Sequence, residues 1–465
     1  MTLLATAFEN LRGADPLAVR GRVSAVRGLV VLVDELPLPV GSTVEIERPD
    51  VVDGDKRAAG EVIGFSREQT IVMMLGSLEG VRPGQPVLSL RTTPTARVGW
   101  GLVGRVVDGL GRPIDGRGPL GETVPRRLSP PPLNAMQRTP IRKPLRTGVR
   151  VLDLLTPVGA GQRLGIFAGP GVGKSTLLAG IAKRCEADVA VVALIGERGR
   201  EVREFIEHGL GAEGMARSVV VAATGDESPL MIARAAKHAC CAAEFFRDAG
   251  KRVMLIMDSV TRFAHAQRQI GLAAGEPPTA RGYTPSVFAR LAELLERAGA
   301  VDGACAGGGA GGGGGSITGL YTVLVEGDDM TEPVADAARG ILDGHVVLSR
   351  KLAQRGHYPA VDVLDSVSRV AGEICDKEHL EAQRALIRLI ALHREVEDLV
   401  QIGAYARGVN PLTDAAIDMA PKVAALLMQN MDQATPFDAA RAGLMGLVKE
   451  SNELVLKAVP KKARS

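Results

Sequence analysis

A glycine-rich segment near the middle of this 465-residue chain has the residue types that bind phosphate groups. It follows the apolar run LGIFA, precedes a helical pattern, and comprises Gly169, Pro170, Gly171, Val172, Gly173, Lys174, Ser175 and Thr176. Backbone N–H groups of such a loop converge on a phosphate, and the following helix N-terminus adds partial positive charge. We expect Lys174 to reach the β- and γ-phosphates of a nucleoside triphosphate, Ser175 to bind Mg²⁺, and Thr176 to bind the α-phosphate. The usual leading glycine is Ala168 here, a side chain small enough to leave the loop unobstructed.

Two acidic residues each end an apolar run that is typical of a buried strand. Asp258 ends RVMLIMD, and Glu197 follows DVAVVALIG. Because the carboxyl ends of parallel strands meet at one edge of a sheet, both carboxylates are expected beside the phosphate loop. Asp258 would order the water shell of Mg²⁺, and Glu197 would act as general base toward a water molecule. Two plainer interpretations stay open: Asp258 as a helix N-cap, and Glu197 as a solvated ion pair with Arg198 or Arg200.

The elements that must position these side chains follow from the periodicity of the chain. From Leu164 onward, strand-like runs alternate with helical patterns, which predicts a parallel sheet wound with helices. Between Arg20 and Leu90, short β-branched runs separated by glycine and proline predict a small closed β-barrel. Beyond Ala371 the pattern is helical throughout, which predicts an α-helical C-terminal domain.

These patterns predict three domains: an N-terminal β-barrel over 1–93, a nucleotide-binding α/β domain over 94–372 and a helical domain over 373–465. Leu4, Phe8 and Leu11 fall at i, i+4 and i+7, so we expect one apolar helical face before the barrel. That face either caps its own barrel or docks on a partner. The glycine-dominated segment 303–318 is expected to be a mobile surface loop, because glycine loses the most entropy on ordering.

Composition excludes several classes of protein. The net charge of +3, from 56 basic and 53 acidic residues, is too near zero to indicate a protein that coats nucleic acids or membranes. The cysteines are odd in number and lack metal-like spacing, so we expect reduced thiols in a cytosolic chain. They are Cys185, Cys240, Cys241, Cys305 and Cys375. The N-terminus has no secretory pattern, and no window approaches about 18 consecutive apolar residues, so the protein is expected to be neither exported nor membrane-spanning.

Several longer motifs carry a resemblance to a known family. They are GERGRE, DSVTRFAHAQR, GEPPTARGYTPSVFARLAELLERAG, SITGLYTVLVEGDDMTEPVAD and HYPAVDVLDSVSRV. Together they resemble the type III protein-export ATPases, most closely the flagellar one, a branch of the rotary ATP synthase superfamily. The resemblance extends from about Arg20 to about Leu427. It implies a RecA-like P-loop NTPase core of α/β class with an N-terminal β-barrel and a C-terminal α-helical domain, six copies of which close into a ring.

The resemblance also implies roles for individual residues. ATP and Mg²⁺ would be held by the phosphate loop, and Glu197 would activate the attacking water. Arg198 and Arg262, at matching motif positions, would help to organise the phosphates. Tyr358 in HYPAVD resembles the tyrosine that stacks on adenine, where a flat π-face gives affinity with little base discrimination. Arg369 in DSVSRV resembles the arginine finger that enters the neighbouring subunit's site.

Phe437 is a candidate adenine contact, although the chain from Asn430 onward matches the family poorly. The glycine run Gly303–Gly315 is longer than the corresponding connection in relatives, so no role is transferred to it. The partners implied by the resemblance are other copies of the chain, the stator and central-stalk proteins of the export apparatus, the export gate and chaperone–substrate complexes. The implied location is the cytoplasm, peripheral to the inner membrane through partners alone, with no nucleic acid bound.

Four functions are compatible with such a core. The first is an ATPase of type III export, in which ATP hydrolysis drives the release and unfolding of export substrates. The second is the catalytic subunit of a proton-translocating ATP synthase. The third is a non-catalytic nucleotide-binding subunit, and the fourth is a ring translocase that acts on RNA. Within the first, the phrases GLVVLVDELPLPVG, GFSREQTIVMMLG and IGAYARG resemble flagellar versions more than virulence-type ones, which stay the alternative.

The site residues distinguish between these functions. Non-catalytic relatives carry glutamine at the position of Glu197, and an amide cannot take a proton from water. A chain with both Glu197 and Arg369 can supply base and finger to a ring of identical copies, whereas synthases divide these roles between two chains. This combination favours a closed, heterologous homohexamer. The barrel region has only Phe8 and Phe65 as aromatic residues, too few to form the stacking surface of a single-strand RNA binder.

Overall fold

A computed structural model describes residues 19–49, 56–302, 314–325, 329–430 and 433–458. The predicted apolar face of Leu4, Phe8 and Leu11 lies outside the described residues, as do Cys305 and most of the glycine run. The other four cysteines are free thiols, and three of them are buried. None of the helices in the described ranges is long and apolar enough to cross a membrane.

The N-terminal region is a closed six-stranded barrel with strand order β1-β2-β5-β4-β3-β6. Its strands are β1 (Arg20–Arg27), β2 (Val30–Asp34), β3 (Thr43–Glu47), β4 (Arg57–Ser66), β5 (Gln69–Met74) and β6 (Pro86–Arg91). Val44 and Ile46 alternate with the partly exposed Glu45, so one side of the strand fills the barrel and the other meets solvent. The predicted barrel is confirmed.

The central region is a mixed sheet that is mostly parallel. Its order is β17-β16-β10-β15-β13-β11-β12-β8, with β14 paired to β15, while β7 and β9 form a separate antiparallel pair. The strands are β7 (Thr95–Val98), β8 (Val106–Val107), β9 (Val124–Arg127), β10 (Arg163–Ala168), β11 (Val189–Glu197), β12 (Ser218–Thr224), β13 (Arg252–Asp258), β14 (Gly299–Ala300), β15 (Ser316–Leu324), β16 (Gly344–Leu348) and β17 (Val361–Ser368). On the main path, β17 alone runs antiparallel to its neighbour.

Helices cover both faces of this sheet. They are α1 (Arg150–Leu155), α2 (Lys174–Arg184), α3 (Gly199–Glu204), α4 (Gly211–Ala216), α5 (Pro229–Asp248), α6 (Val260–Ala273), α7 (Pro285–Leu295), α8 (Pro333–Ile341), α9 (Arg350–Gln354) and α10 (Ala371–Ile374). Side chains of β11 alternate between two apolar layers, with Val192 and Leu194 on one face and Val191 and Ala193 on the other. This two-sided burial explains the uninterrupted apolar runs of the central strands.

After residue 376 the described residues form helices joined by short loops. Its helices are α11 (Lys377–Gln401), α12 (Pro411–Leu427) and α13 (Phe437–Ala458). Buried residues such as Leu386, Met419 and Leu444 join the apolar layer that also contains Leu178 of α2. The helical C-terminal region is therefore confirmed and packs directly on the nucleotide-binding fold. The domain boundaries near residues 93 and 372 stay predictions.

Candidate functional site

The phosphate loop lies at the carboxyl edge of the sheet, between β10 and α2. Gly171 and Gly173 have φ angles of 76° and 86°, a backbone conformation that favours glycine. Gly173 directly precedes the first residue of α2, so the free N–H groups of that helix face the loop. Ala168 is the last residue of β10, and its carbonyl accepts a hydrogen bond from the Val325 N–H at 3.1 Å. Because Ala168 is extended, a glycine is not required there.

An ion cluster joins the loop to the ends of two other strands. The Lys174 ammonium forms an ion pair with Asp258 at the end of β13, and its Nζ lies 3.7 Å from Glu197 Oε1 at the end of β11. Asp258 is only 2% exposed, and its Oδ1 accepts a hydrogen bond of 2.7 Å from the Thr322 hydroxyl. One ammonium therefore bridges two carboxylates that are 61 residues apart in sequence, at the place where a triphosphate would sit.

Glu197 has the electrostatic environment of a general base. The pKa of its carboxyl group is raised to about 7, chiefly by burial and then by the neighbouring Asp258, while Lys174 acts in the opposite direction. A carboxyl group with a pKa near the working pH can take a proton from water and release it again. The plainer interpretation of Glu197 is wrong, because its cationic neighbour is Lys174 rather than a surface arginine.

The plainer interpretation of Asp258 is also wrong. The N-cap of α6 is Ser259, whose Oγ accepts a hydrogen bond from the Arg262 N–H at 3.3 Å. The Asp258 carboxylate is thus left for Lys174 and Thr322. The sequence alone does not identify Thr322, because β15 contains two threonines within an apolar run and nothing local distinguishes them.

The structure brings Arg262 to the site but not Arg198. A Cβ atom placed on Gly196, which has a φ of 71°, would lie 2.9 Å from Arg262 Cβ, so α6 packs closely on the end of β11, which carries Glu197. The side chain of Arg198 is 75% exposed and pairs with Glu201 at 2.9 Å. In this state Arg198 contacts its own helix rather than the space beside Lys174.

Tyr358 lies beside the phosphate loop. Its Cε1 atom would be 3.4 Å from a Cβ atom placed on Gly173, and the residue is 44% exposed. Phe437 is engaged elsewhere: its ring lies 3.3 Å from the Arg146 guanidinium carbon and stacks on His379 at 5.8 Å between centroids. Of the two aromatic candidates, Tyr358 has the partly exposed ring at the loop.

Arg369 lies at the opposite edge of the sheet. It follows β17, in which Ser368 pairs with Gly344 at the start of β16. The Arg369 N–H donates to the carbonyl of Asp343, whose carboxylate holds Arg163 at the first residue of β10 at 3.0 Å. The phosphate loop begins after the last residue of β10, about 20 Å away at the usual strand rise. Arg369 therefore cannot contact the phosphate loop of its own chain.

The donor groups at the loop fit a magnesium nucleotide. Ser175 and Thr176 are exposed at the start of α2, and Asp258 supplies a carboxylate oxygen, the type of ligand that Mg²⁺ prefers. A separate cleft of about 1120 Å³ lies between β16, β17 and the C-terminal helices, and it reaches the loop only at Ala168 and Gly169. The chemistry supported at the edge of the sheet is binding of a polyanion beside a carboxylate that can accept a proton.

Three family models match successive parts of the chain. Residues 148–368 match the nucleotide-binding domain of the ATP synthase alpha/beta family, residues 23–91 match its beta-barrel domain, and residues 375–446 match the T3SS EscN ATPase C-terminal domain. The matched ranges cover most of the sheet, the barrel and the C-terminal helices described above.

Individual proteins agree with this assignment. The flagellum-specific ATP synthase of Pseudomonas aeruginosa is 46% identical, over 94% of this chain and 94% of that protein. The type 3 secretion system ATPase of Xanthomonas euvesicatoria is 47% identical, over 90% of this chain and 91% of that protein. A solved structure of the assembled ATPase EscN in complex with its central stalk EscO, from enteropathogenic E. coli, is 37% identical with a TM-score of 0.82, over 92% of this chain and 100% of that one. The chain belongs to the type III protein-export ATPases of the ATP synthase alpha/beta family.

Proposed function

We propose that this chain hydrolyses ATP to drive type III export of flagellar subunits. The observation that carries the proposal is the bridge from Lys174 to Asp258 and Glu197 at the mouth of the phosphate loop. It gathers a phosphate-binding cation, a metal-ordering carboxylate and a general base at one point. Membership of the export ATPase family supports the coupling of this chemistry to protein export.

Each side chain has a separate role in the proposed hydrolysis. Lys174 releases its carboxylate partners and binds the β- and γ-phosphates, while Tyr358 covers the adenine ring. When bound through Ser175 and the waters ordered by Asp258, Mg²⁺ neutralises charge on the phosphates. Glu197 takes a proton from a water molecule as the oxygen of that water bonds to the γ-phosphorus. The bond between the γ-phosphorus and the oxygen that bridges to the β-phosphate breaks, giving ADP and inorganic phosphate.

The arginines complete the charge balance. Arg262 is already packed on Gly196, next to Glu197. Arg198 can exchange Glu201 for a phosphate oxygen, because its ion pair with Glu201 is exposed and therefore weak. Arg369 acts on a neighbouring copy. A homohexamer satisfies this requirement with a single kind of chain, and the assembled state of EscN supports it.

The proposed partners follow from this assembly. A central stalk in the ring is supported by the EscN–EscO complex. We also propose contacts with the stator, the export gate and chaperone–substrate complexes, which would hold the ring at the cytoplasmic face of the inner membrane. A virulence-type role uses the same site and is the alternative, since the matched relatives include a type 3 secretion system ATPase of similar identity.

The branch can be tested in the native host. Deleting the gene should abolish filament assembly and swimming, while secretion through any other type III system continues. The intact gene should restore swimming, and a Lys174→Ala copy should not. Purification of a tagged chain should recover flagellar stator and export-gate proteins. Normal swimming in the deletion strain, with loss of virulence-type secretion, would assign the chain to the alternative branch.

The pKa of Glu197 predicts the pH dependence of hydrolysis. The carboxylate is the active form, so protonation below a pKa of about 7 removes the base. We expect kcat/KM to be level above about pH 8 and to be about tenfold below that level at pH 6. Steady-state ATPase assays across this range measure the profile. Glu197→Gln should show a low rate without this acidic limb, and an unchanged limb in that variant would assign the titration to another group.

A further inference from the structure

Gln429 forms hydrogen bonds with three separate parts of the chain, one of which is Tyr358. The residue follows α12 and is 4% exposed. Its side-chain Nε2 donates to the carbonyls of Gly148 at 3.0 Å and Gln433 at 2.9 Å, and its Oε1 accepts from the Arg150 N–H at 2.8 Å. Its backbone N–H donates to the carbonyl of Tyr358 at 2.9 Å.

The Gln429 amide is buried, and its donors are already used within the protein. Both of its N–H groups donate within the protein, and its oxygen accepts from the first residue of α1. The amide therefore does not bind a nucleobase itself. The side-chain bonds of Gln429 instead fix the position of its backbone, and the backbone N–H holds the carbonyl of Tyr358.

The hydrogen bond from Gln429 matters because it fixes the backbone of Tyr358, and the Tyr358 ring is the part that reaches the phosphate loop. The ring lies beside Gly173 and is largely free on its outer side, with the residue 44% exposed. A ring that stacks on a base must be held at one distance from the phosphate loop, since the phosphates fix the other end of the nucleotide. A second hydrogen bond holds the segment after α12: the Arg150 guanidinium donates to the carbonyl of Met428.

We propose that Gln429 is a positioning residue for the nucleobase of the bound nucleoside triphosphate, acting through Tyr358. The inference rests on the proposed function, in which Tyr358 stacks on adenine. It assigns to the residue just after α12, in the C-terminal helical region, an effect on nucleotide affinity. The effect falls on binding and not on the chemical step, because Gln429 contacts neither Lys174 nor Glu197.

The test is a double-mutant cycle with ADP as the probe. Gln429→Leu should raise the Kd for ADP, measured by calorimetry, by about tenfold, because the stacking ring loses its fixed position. The KM for ATP should rise similarly, while kcat at saturating ATP stays within about twofold. Gln433→Ala is the matched control, because the Gln433 side chain is exposed and Gln429 contacts its backbone carbonyl, which the substitution keeps. That control should leave the Kd unchanged.

The second arm of the cycle separates positioning from a general structural role. In a Tyr358→Ala background, Gln429→Leu should add almost nothing to the loss of ADP affinity, because both changes remove the same contact. Additive losses would show that Gln429 acts independently of Tyr358 and would overturn the inference. Thermal unfolding without nucleotide monitors the fold. If Gln429→Leu is too unstable, Gln429→Glu keeps the acceptor for Arg150 and loses both donated bonds, and it should weaken ADP binding in the same direction.

The outcomes distinguish this inference from the proposed function. If Tyr358→Ala weakens ADP binding and Gln429→Leu does not, the positioning role is wrong and the stacking role of Tyr358 stands. If Tyr358→Ala leaves the Kd unchanged, the stacking role itself fails, and the inference fails with it. If both single variants weaken binding and the double variant matches Tyr358→Ala alone, the positioning role is supported.

Discussion

Arg369→Ala is expected to lower kcat for ATP hydrolysis by about 10³- to 10⁵-fold, the range typical of arginine fingers. The physical reason is loss of a cation that neutralises charge growing on the γ-phosphate in the transition state. Affinity for ADP should change little, because ADP lacks the γ-phosphate. Arg388 on α11 is exposed like Arg369, so Arg388→Ala is the matched control and should retain the parental rate.

The position of Arg369 makes a stronger test possible. Arg369 and the phosphate loop lie at opposite edges of one sheet, so a site that uses both would have to be shared by two chains. Mixing Arg369→Ala with Lys174→Ala should therefore restore activity that neither variant has alone. In a random equal mixture about one interface in four combines an intact loop with an intact finger, so up to about a quarter of the parental activity is expected if sites act independently.

The mixing experiment has a clear contrary result. If Arg369 served the site of its own chain, every chain in the mixture would be defective and no activity would return. Sedimentation should confirm that the two variants assemble together. Specific activity of the parental protein should also rise steeply with concentration, because assembly completes the site. A flat specific activity across a dilution series in which sedimentation shows monomers would contradict the shared site.

Lys174→Ala is expected to reduce ATP turnover by at least about 10²- to 10³-fold, as removal of a single preorganised stabilising group does. Lys174 is the cation at the loop that can bind the β- and γ-phosphates, and in the free chain it pairs with Asp258 and lies near Glu197. ATPase assays at saturating ATP measure the loss. The fold should survive, because the helix that Lys174 begins is anchored by the buried residues Leu177, Leu178 and Ile181.

Two measurements support the interpretation of the Lys174 result. Lys183→Ala changes a lysine at the other end of α2 and should keep the parental turnover. Circular dichroism and gel filtration of Lys174→Ala should match those of the parental protein. Parental turnover in a correctly folded Lys174→Ala variant would refute the assignment of the phosphate loop as the ATP site.

The fold was largely predictable because its patterns are local. The six β-branched runs before residue 90 became the six barrel strands, and the alternation after Leu164 became the parallel sheet. Strands with both faces covered are continuous apolar runs, so β11 and β13 were identified without knowledge of their neighbours. The edge strand β17 and its neighbour β16 were harder to predict, since partly exposed positions interrupt their buried ones.

The candidate site was predictable where function needs consecutive residues. The phosphate loop is contiguous, and Asp258 and Glu197 stand at strand ends, so topology alone brings them to one edge. The resting partner of Arg198 was not predictable, because an exposed arginine has several acidic neighbours within reach. Thr322 and Gln429 were not identified, because a threonine in a strand and a glutamine after a helix are ordinary in sequence.

By itself the sequence determined the three-part architecture, the phosphate loop and the two carboxylates that face it, because backbone geometry fixes which neighbours in sequence share a strand, a turn or a helix face. Tertiary structure alone decided that Lys174 bridges both carboxylates, that Arg369 lies at the far edge of the sheet, and that Gln429 bonds to Arg150, 279 residues earlier. Such contacts depend on the order and register of packed elements, since no local rule relates side chains so far apart in the chain.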